Sequence, residues 1–89
     1  MIHVFDVKTE NKVLLIMKDN NKDLNQFLAS NNYSFYDTIL SRGETKSKNV
    51  YKKSGKYYVV GKIEQVKSNI YYVIMNDITS SIQNPENRL

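Results

Sequence analysis

The side chains able to do chemistry in this chain are concentrated between Arg42 and Lys67. There Arg42, Lys46, Lys48, Lys52, Lys53, Lys56, Lys62 and Lys67 stand against only Glu44 and Glu64, a local net charge of +6 that leaves −2 for the rest of the chain. Tyrosines are interleaved with these cations: Tyr51, Tyr57 and Tyr58 within the segment and Tyr71 just beyond it. Ammonium groups attract phosphates and aromatic rings offer faces on which bases stack, so the pattern points to a polyanion, nucleic acid in particular. Lysine outnumbers arginine eleven to two. Arginine is the better bidentate reader of phosphate and guanine, so the expected binding has little sequence specificity. The expected binding residues are therefore Arg42, Lys46, Lys48, Tyr51, Lys52, Lys53, Lys56, Tyr58, Lys62, Lys67 and Tyr71. The competing reading is a solvated basic loop beside strand tyrosines that serve packing.

Other chemistries find little support. His3 is the single histidine and there is no cysteine, so the usual zinc ligand set cannot be assembled and no disulfide can form. Asp6, Asp37, Glu64 and Asp77 fall on separate elements, and no spacing pairs them as general acid and base. Gly43, Gly55 and Gly61 match no phosphate-cradling loop. The expectation is a non-enzyme without metal or cofactor.

These residues need a scaffold, and 89 of them make one small domain whose core is a sheet face covered by a helix or two. The strongest element signal is KYYVVGKIEQVKSNIYYVIMNDI over 56–78, two runs of tyrosine and β-branched residues that read as a hairpin. With Ser68 and Asn69 in the turn, Ile63 faces Ile74 and Gln65 faces Tyr72. One face then holds Tyr57, Val59, Ile63, Tyr72, Ile74 and Ile78. The other holds Tyr58, Val60, Lys62, Glu64, Val66, Tyr71, Val73, Met75 and Asp77, a mixed surface that could meet a partner.

Upstream, Ile2 to Lys8 and Lys12 to Lys18 read as a first hairpin turning at Glu10 and Asn11, with Phe5 opposite Ile16 and Val7 opposite Leu14. VLLIM over 13–17 is apolar on both faces, as an inner strand would be. Over 19–32 the period changes. Leu24, Phe27 and Leu28 share a helical face, Asn20 or Asn21 can cap the start, and Asn31 or Asn32 can take the left-handed residue at the end. Ser34 and Asp37 suggest a capping box for a second short helix ending before Gly43. That helix lacks a basic residue before Arg42, a poor fit to a helix that reads a DNA groove. Residues 42–56 read as a flexible basic loop and 81–89 as a polar tail.

The expected fold is therefore α+β: one domain over 1–80, an antiparallel sheet of two hairpins in ββααββ order, and the helices on one face. The longest apolar run is too short to span a membrane and no signal peptide is evident, so a cytoplasmic protein is expected. Eleven asparagines beside eleven lysines suggest an AT-rich genome, such as that of a low-GC bacterium, its phages or its plasmids. The expected function is a small nucleic-acid-binding module. The alternative is a phage- or plasmid-type accessory or inhibitor protein that occludes an acidic partner through its tyrosine-rich face. Open sheet edges would also allow a homodimer.

Overall fold

A computed structural model of the chain describes residues 2–18 and 23–84. Six strands, β1 (His3–Phe5), β2 (Asn11–Lys18), β3 (Ser34–Ser41), β4 (Lys48–Lys53), β5 (Lys56–Lys67) and β6 (Ile70–Asp77), form one sheet, joined by α1 (Leu24–Ser30) and α2 (Thr79–Gln83). The strand order is β1-β3-β4-β5-β6-β2, with β1 parallel to β3 and every other pair antiparallel. The fold is thus α+β, but its order is not two hairpins around two helices.

The hairpin of 56–78 forms. Lys67 pairs with Ile70 across Ser68 and Asn69, but register shifts at Val66 and at Gly61 each slide the preceding part of β5 by one residue. Ile63 consequently faces Val73 rather than Ile74, and Gln65 faces Tyr71 rather than Tyr72. Gly61 leaves room at this bulge for the Asn76 side chain, which a Cβ there, 2.7 Å from Asn76 Cγ, would force to move. The shift puts Lys62 and Glu64 beside Ile74 and Tyr72, and Ile63 on the opposite face with Val73.

The first hairpin does not form. β1 and β2 occupy opposite edges of the sheet, so Phe5 lies nowhere opposite Ile16. Glu10-Asn11 is a poor tight turn. The chain instead crosses the end of the sheet, where Lys8 N–H donates to Ser81 Oγ at 2.8 Å and Glu10 N–H to the Asp77 carbonyl at 2.8 Å. Placing β2 at an edge also overturns its reading as an inner strand, and Leu14 and Ile16 are left exposed.

The first helix is present. Asp23 is its cap, accepting from Asn25 N–H at 3.0 Å, and Asn32 takes the left-handed residue after it, with φ 68°. The expected cap, Asn20 or Asn21, lies outside the described residues; Asp23 does the capping because the helix begins at Leu24. The expected second helix is strand β3, whose Asp37 carboxylate accepts from Thr38 N–H rather than capping Ser34. Ladder pairing with β4 overrides a weak local signal here, as tertiary context commonly does. The expected loop of 42–56 likewise contains β4, closed onto β5 by a two-residue turn. Ser54 (φ 52°) and Gly55 (φ 77°) both have positive φ, the geometry suited to a tight hairpin. Within the expected tail, residues 81–83 belong to α2, with Ser81 buried, and 85–89 lie outside the described residues.

The helices cover opposite faces, not one. Leu24, Phe27 and Leu28 of α1 pack with Met17, Tyr33, Tyr51, Tyr58, Val73 and Met75. Ile78 and Ile82 close the other face over Phe5, Ile39, Val50 and Val59. Joining the two layers at one end is Asp77, 3% exposed, whose Oδ1 accepts from Thr79 N–H at 3.0 Å and from Thr79 Oγ1–H at 2.6 Å. Thr79 Oγ1 in turn accepts from Tyr57 N–H at 2.9 Å.

Two outcomes follow. Asp77→Ala leaves buried donors without an acceptor and should cost about 1–3 kcal/mol in a urea titration, with Asp77→Asn retaining part of that. Burial, and secondarily the Tyr58 phenol, raise the Tyr33 hydroxyl above the usual tyrosine pKa. A pKa raised in the folded state means that the folded protein holds this proton more tightly than the unfolded chain does. Tyr33 therefore contributes stability below the ordinary tyrosine range that is lost as pH rises through its folded pKa. Tyr33→Phe should flatten the alkaline fall in melting temperature; an unchanged fall would assign it to other groups.

Candidate nucleic-acid interface

At the end of the sheet where β3 begins and β4 turns into β5, cations and aromatic rings come together. Lys52 and Tyr57 are cross-strand partners, and the Lys52 ammonium lies 5.5 Å from the Tyr57 ring centroid. Tyr36 meets Tyr57 edge to face, with centroids 4.7 Å apart and planes at 62°. On the other side of the same turn, Lys53 lies 4.8 Å from the ring of Tyr33, which packs against Tyr58 at 5.3 Å. Lys56 pairs with Lys53 across the turn and is exposed. Phe35, 60% exposed, and Tyr36, 48% exposed, leave apolar ring surface in water at the start of β3.

The expected binding residues divide accordingly. Lys52, Lys53 and Lys56 share this end. Arg42 and Lys46 lie in the loop between β3 and β4, beyond the opposite end of β4, and Lys48 opens that strand. The length of β4 is about 17 Å, so these residues are on the far side of it. Lys48 approaches Glu44 at 3.4 Å and Lys62 approaches Glu64 at 3.0 Å, so part of their charge is already matched. Lys67 ends β5, roughly 35 Å along the strand from Lys56. The eleven residues are not one site.

Two of the expected stacking tyrosines are core residues. Tyr51 is 6% and Tyr58 8% exposed, both packed under α1, and Tyr51 Oη donates to Asn25 Oδ1 at 3.2 Å. They cannot receive a base. Tyr71 is half-buried against the same core. On the face that carries Lys52, the exposed ring is Tyr36 and Tyr57 is half-buried against the core; exposed Phe35 lies on the other face, edge to face with Tyr51. Tyr36 and Phe35 were hidden from sequence reasoning by their assignment to a helix; the aromatic and β-branched residues Phe35, Tyr36, Thr38 and Ile39, which favour strands, were the signal that could have found them.

Beside Tyr36 the face covered by α2 opens into a cleft of about 320 Å³ lined by His3, Phe5, Tyr36, Asp37, Ile39, Ile82 and Gln83. His3 Nδ1 and Asp37 Oδ2 are 3.7 Å apart at its rim. Asp37 is held by the Thr38 N–H, which donates to Oδ1 at 2.8 Å. Among the described residues no group of three or more histidine, cysteine or acidic side chains could hold a metal ion, and no helix is long and apolar enough to cross a membrane. Comparison of the chain with protein-family models, with curated proteins and with solved structures finds no match to any of them.

Proposed function

We propose that the protein is a non-enzymatic cytoplasmic module that binds nucleic acid, with single strands as its preferred form, through the end of the sheet around the β4–β5 turn. The observation that carries this reading is the contact of the Lys52 ammonium with the Tyr57 ring and of Tyr57, edge to face, with the exposed Tyr36. A single strand offers both phosphates for Lys52, Lys53 and Lys56 and unpaired bases for the rings, whereas a duplex buries its base faces. The absence of arginine from this end favours contacts that position the backbone over contacts that read sequence.

A second reading, the accessory or inhibitor protein of a phage or plasmid, is favoured by a different surface. Leu14 and Ile16 of β2 pair with Ile74 and Tyr72 of β6, and on the face away from α1 these four make an apolar strip. Lys12 and Lys18 stand at its two ends, with the Lys62–Glu64 pair along its side, a pattern suited to an apolar partner surface with acidic groups at the ends of the strip. Since β2 is an edge strand, its open backbone groups could also pair with a second copy.

Fluorescence anisotropy with labelled single-stranded and double-stranded oligonucleotides over a salt series tests the first reading. Replacing Lys52, Lys53 and Lys56 by Ala should weaken binding at least about tenfold and reduce the log–log salt slope by about two to three. Replacing Arg42, Lys46 and Lys48 should change it far less. Equal effects of the two triple variants would place the interface elsewhere. For the second reading, Ile16→Glu should alter stability by no more than about 0.5 kcal/mol. It should nevertheless abolish association, read by light scattering for a second copy and by co-purification for a partner; association that survives it would exclude the strip.

A further inference from the structure

The cleft beside Tyr36 is built differently from the surface around it. Its floor is made by Phe5 and Ile39, which belong to the buried core, and by Ile82 of α2, which packs against that core. Its rim carries polar groups, His3, Asp37 and Gln83, and Tyr36 forms a wall. A recess with apolar residues at its base and polar groups on its rim can seat a small ligand, and about 320 Å³ is the small end of that class. The wall is shared with the proposed interface, since Tyr36 also contacts Tyr57 beneath Lys52. A strand lying over Lys52 and Tyr57 therefore passes the mouth of the cleft.

The chemistry of the rim selects among bases. The Asp37 carboxylate is an acceptor with two oxygens, oriented by the Thr38 N–H and facing the His3 ring. Guanine presents two adjacent donors, N1–H and the N2 amino group, which match a carboxylate in a paired, charge-assisted contact. Adenine and cytosine present an amino donor next to a ring acceptor, and thymine or uracil a single N–H between two carbonyl oxygens. Each of these sets at least one acceptor against the carboxylate. Gln83 carries both a donor and an acceptor, and its amide can serve the guanine O6.

We infer that the cleft is a pocket for one guanine base, with Asp37 as the acceptor that determines specificity and Tyr36 as the stacking wall. This rests on the proposed nucleic-acid reading for the source of the base in a strand; a free guanine nucleotide would satisfy the same pocket. Together, sequence-tolerant contacts at the β4–β5 turn and one selective pocket make a binder that tracks a strand and pauses at guanine.

The test compares labelled ten-nucleotide thymidine strands carrying one central dG or one central dA, with unlabelled GMP and AMP as competitors. The dG strand should bind about tenfold tighter than the dA strand. Asp37→Asn should remove that preference while leaving the affinity for plain thymidine strands unchanged. Competition by GMP but not AMP would identify the pocket as open to free nucleotide; no competition by either, with the dG preference intact, would tie it to bases presented by a strand. Equal affinity for dG and dA strands, with thymidine strands still bound, would overturn the pocket and leave the surface reading standing. GMP binding in the absence of any strand binding would support the pocket and overturn the surface reading. No binding of any probe would overturn both.

Discussion

Asp77 is a buried carboxylate, and the arrangement of both faces depends on how it is satisfied. Burying an ionised group away from water is costly unless donors replace the lost hydration, and here they come from a single residue, Thr79, through its backbone N–H and its hydroxyl. Because Thr79 Oγ1 also accepts from Tyr57 N–H, and Ile78 N–H donates to the Tyr57 carbonyl at 2.8 Å, the carboxylate ties the end of β6 to the start of β5 and to α2. The chain crossing from β1 to β2 joins the same node through Glu10 N–H on the Asp77 carbonyl. A helix as short as α2 has little stability of its own, so it is held by these bonds and by Ile78 and Ile82 in the core. The proposed site inherits its geometry from this node. Tyr57 is placed by it directly, and Ile82 and Gln83, which close the cleft, are placed through α2.

The connections explain why the sheet has two covered faces. After β2 at one edge, α1 carries the chain across the sheet to β3, beside the other edge, and its apolar face packs on the strands between. The segment from β1 to β2 makes the reverse journey past α2. Long-range connections of this kind bring β1 beside β3 in parallel, where no hairpin could place it. They also set His3 against Asp37 across two strands far apart in sequence. The cleft is thus a product of topology.

What the sequence made legible was local. The β5–β6 hairpin and its Ser68-Asn69 turn, the helix over Leu24, Phe27 and Leu28, and the left-handed Asn32 all follow from short-range patterns and are present. The first hairpin was illegible because apolar runs identify strands but not their neighbours; Glu10 and Asn11 serve a crossing rather than a turn. Strand β3 was misread because Ser34 and Asp37 imitate a helix start, and only pairing with β4 decides otherwise. Residues 48–53 read as a loop for a different reason: only Val50 and Tyr51 are apolar there, adjacent and so on opposite faces, and both are buried by the layers on either side. Faces were legible up to the first bulge: a shift of one residue at Gly61 moves Ile63 to the other side, and alternation alone cannot reveal it. The basic–aromatic composition was visible, but which rings reach water was not. Tyr51 and Tyr58 are indistinguishable in sequence from Tyr57, and the fold buries the first two.

A lysine on a strand can cover a ring on the neighbouring strand when the two are cross-strand partners, as Lys52 and Tyr57 are. In that position the ammonium covers one face of the ring. Lys53 lies over Tyr33 in the same manner, but Tyr33 is a core residue. The two lysines at one turn are therefore unequally placed: Lys53 lies over a buried ring, and Lys52 over a half-buried one that touches the exposed Tyr36. Tyr36 links Tyr57 to the mouth of the cleft, so the Lys52 ammonium, the two rings and the polar rim of the cleft lie together on the face that α2 covers.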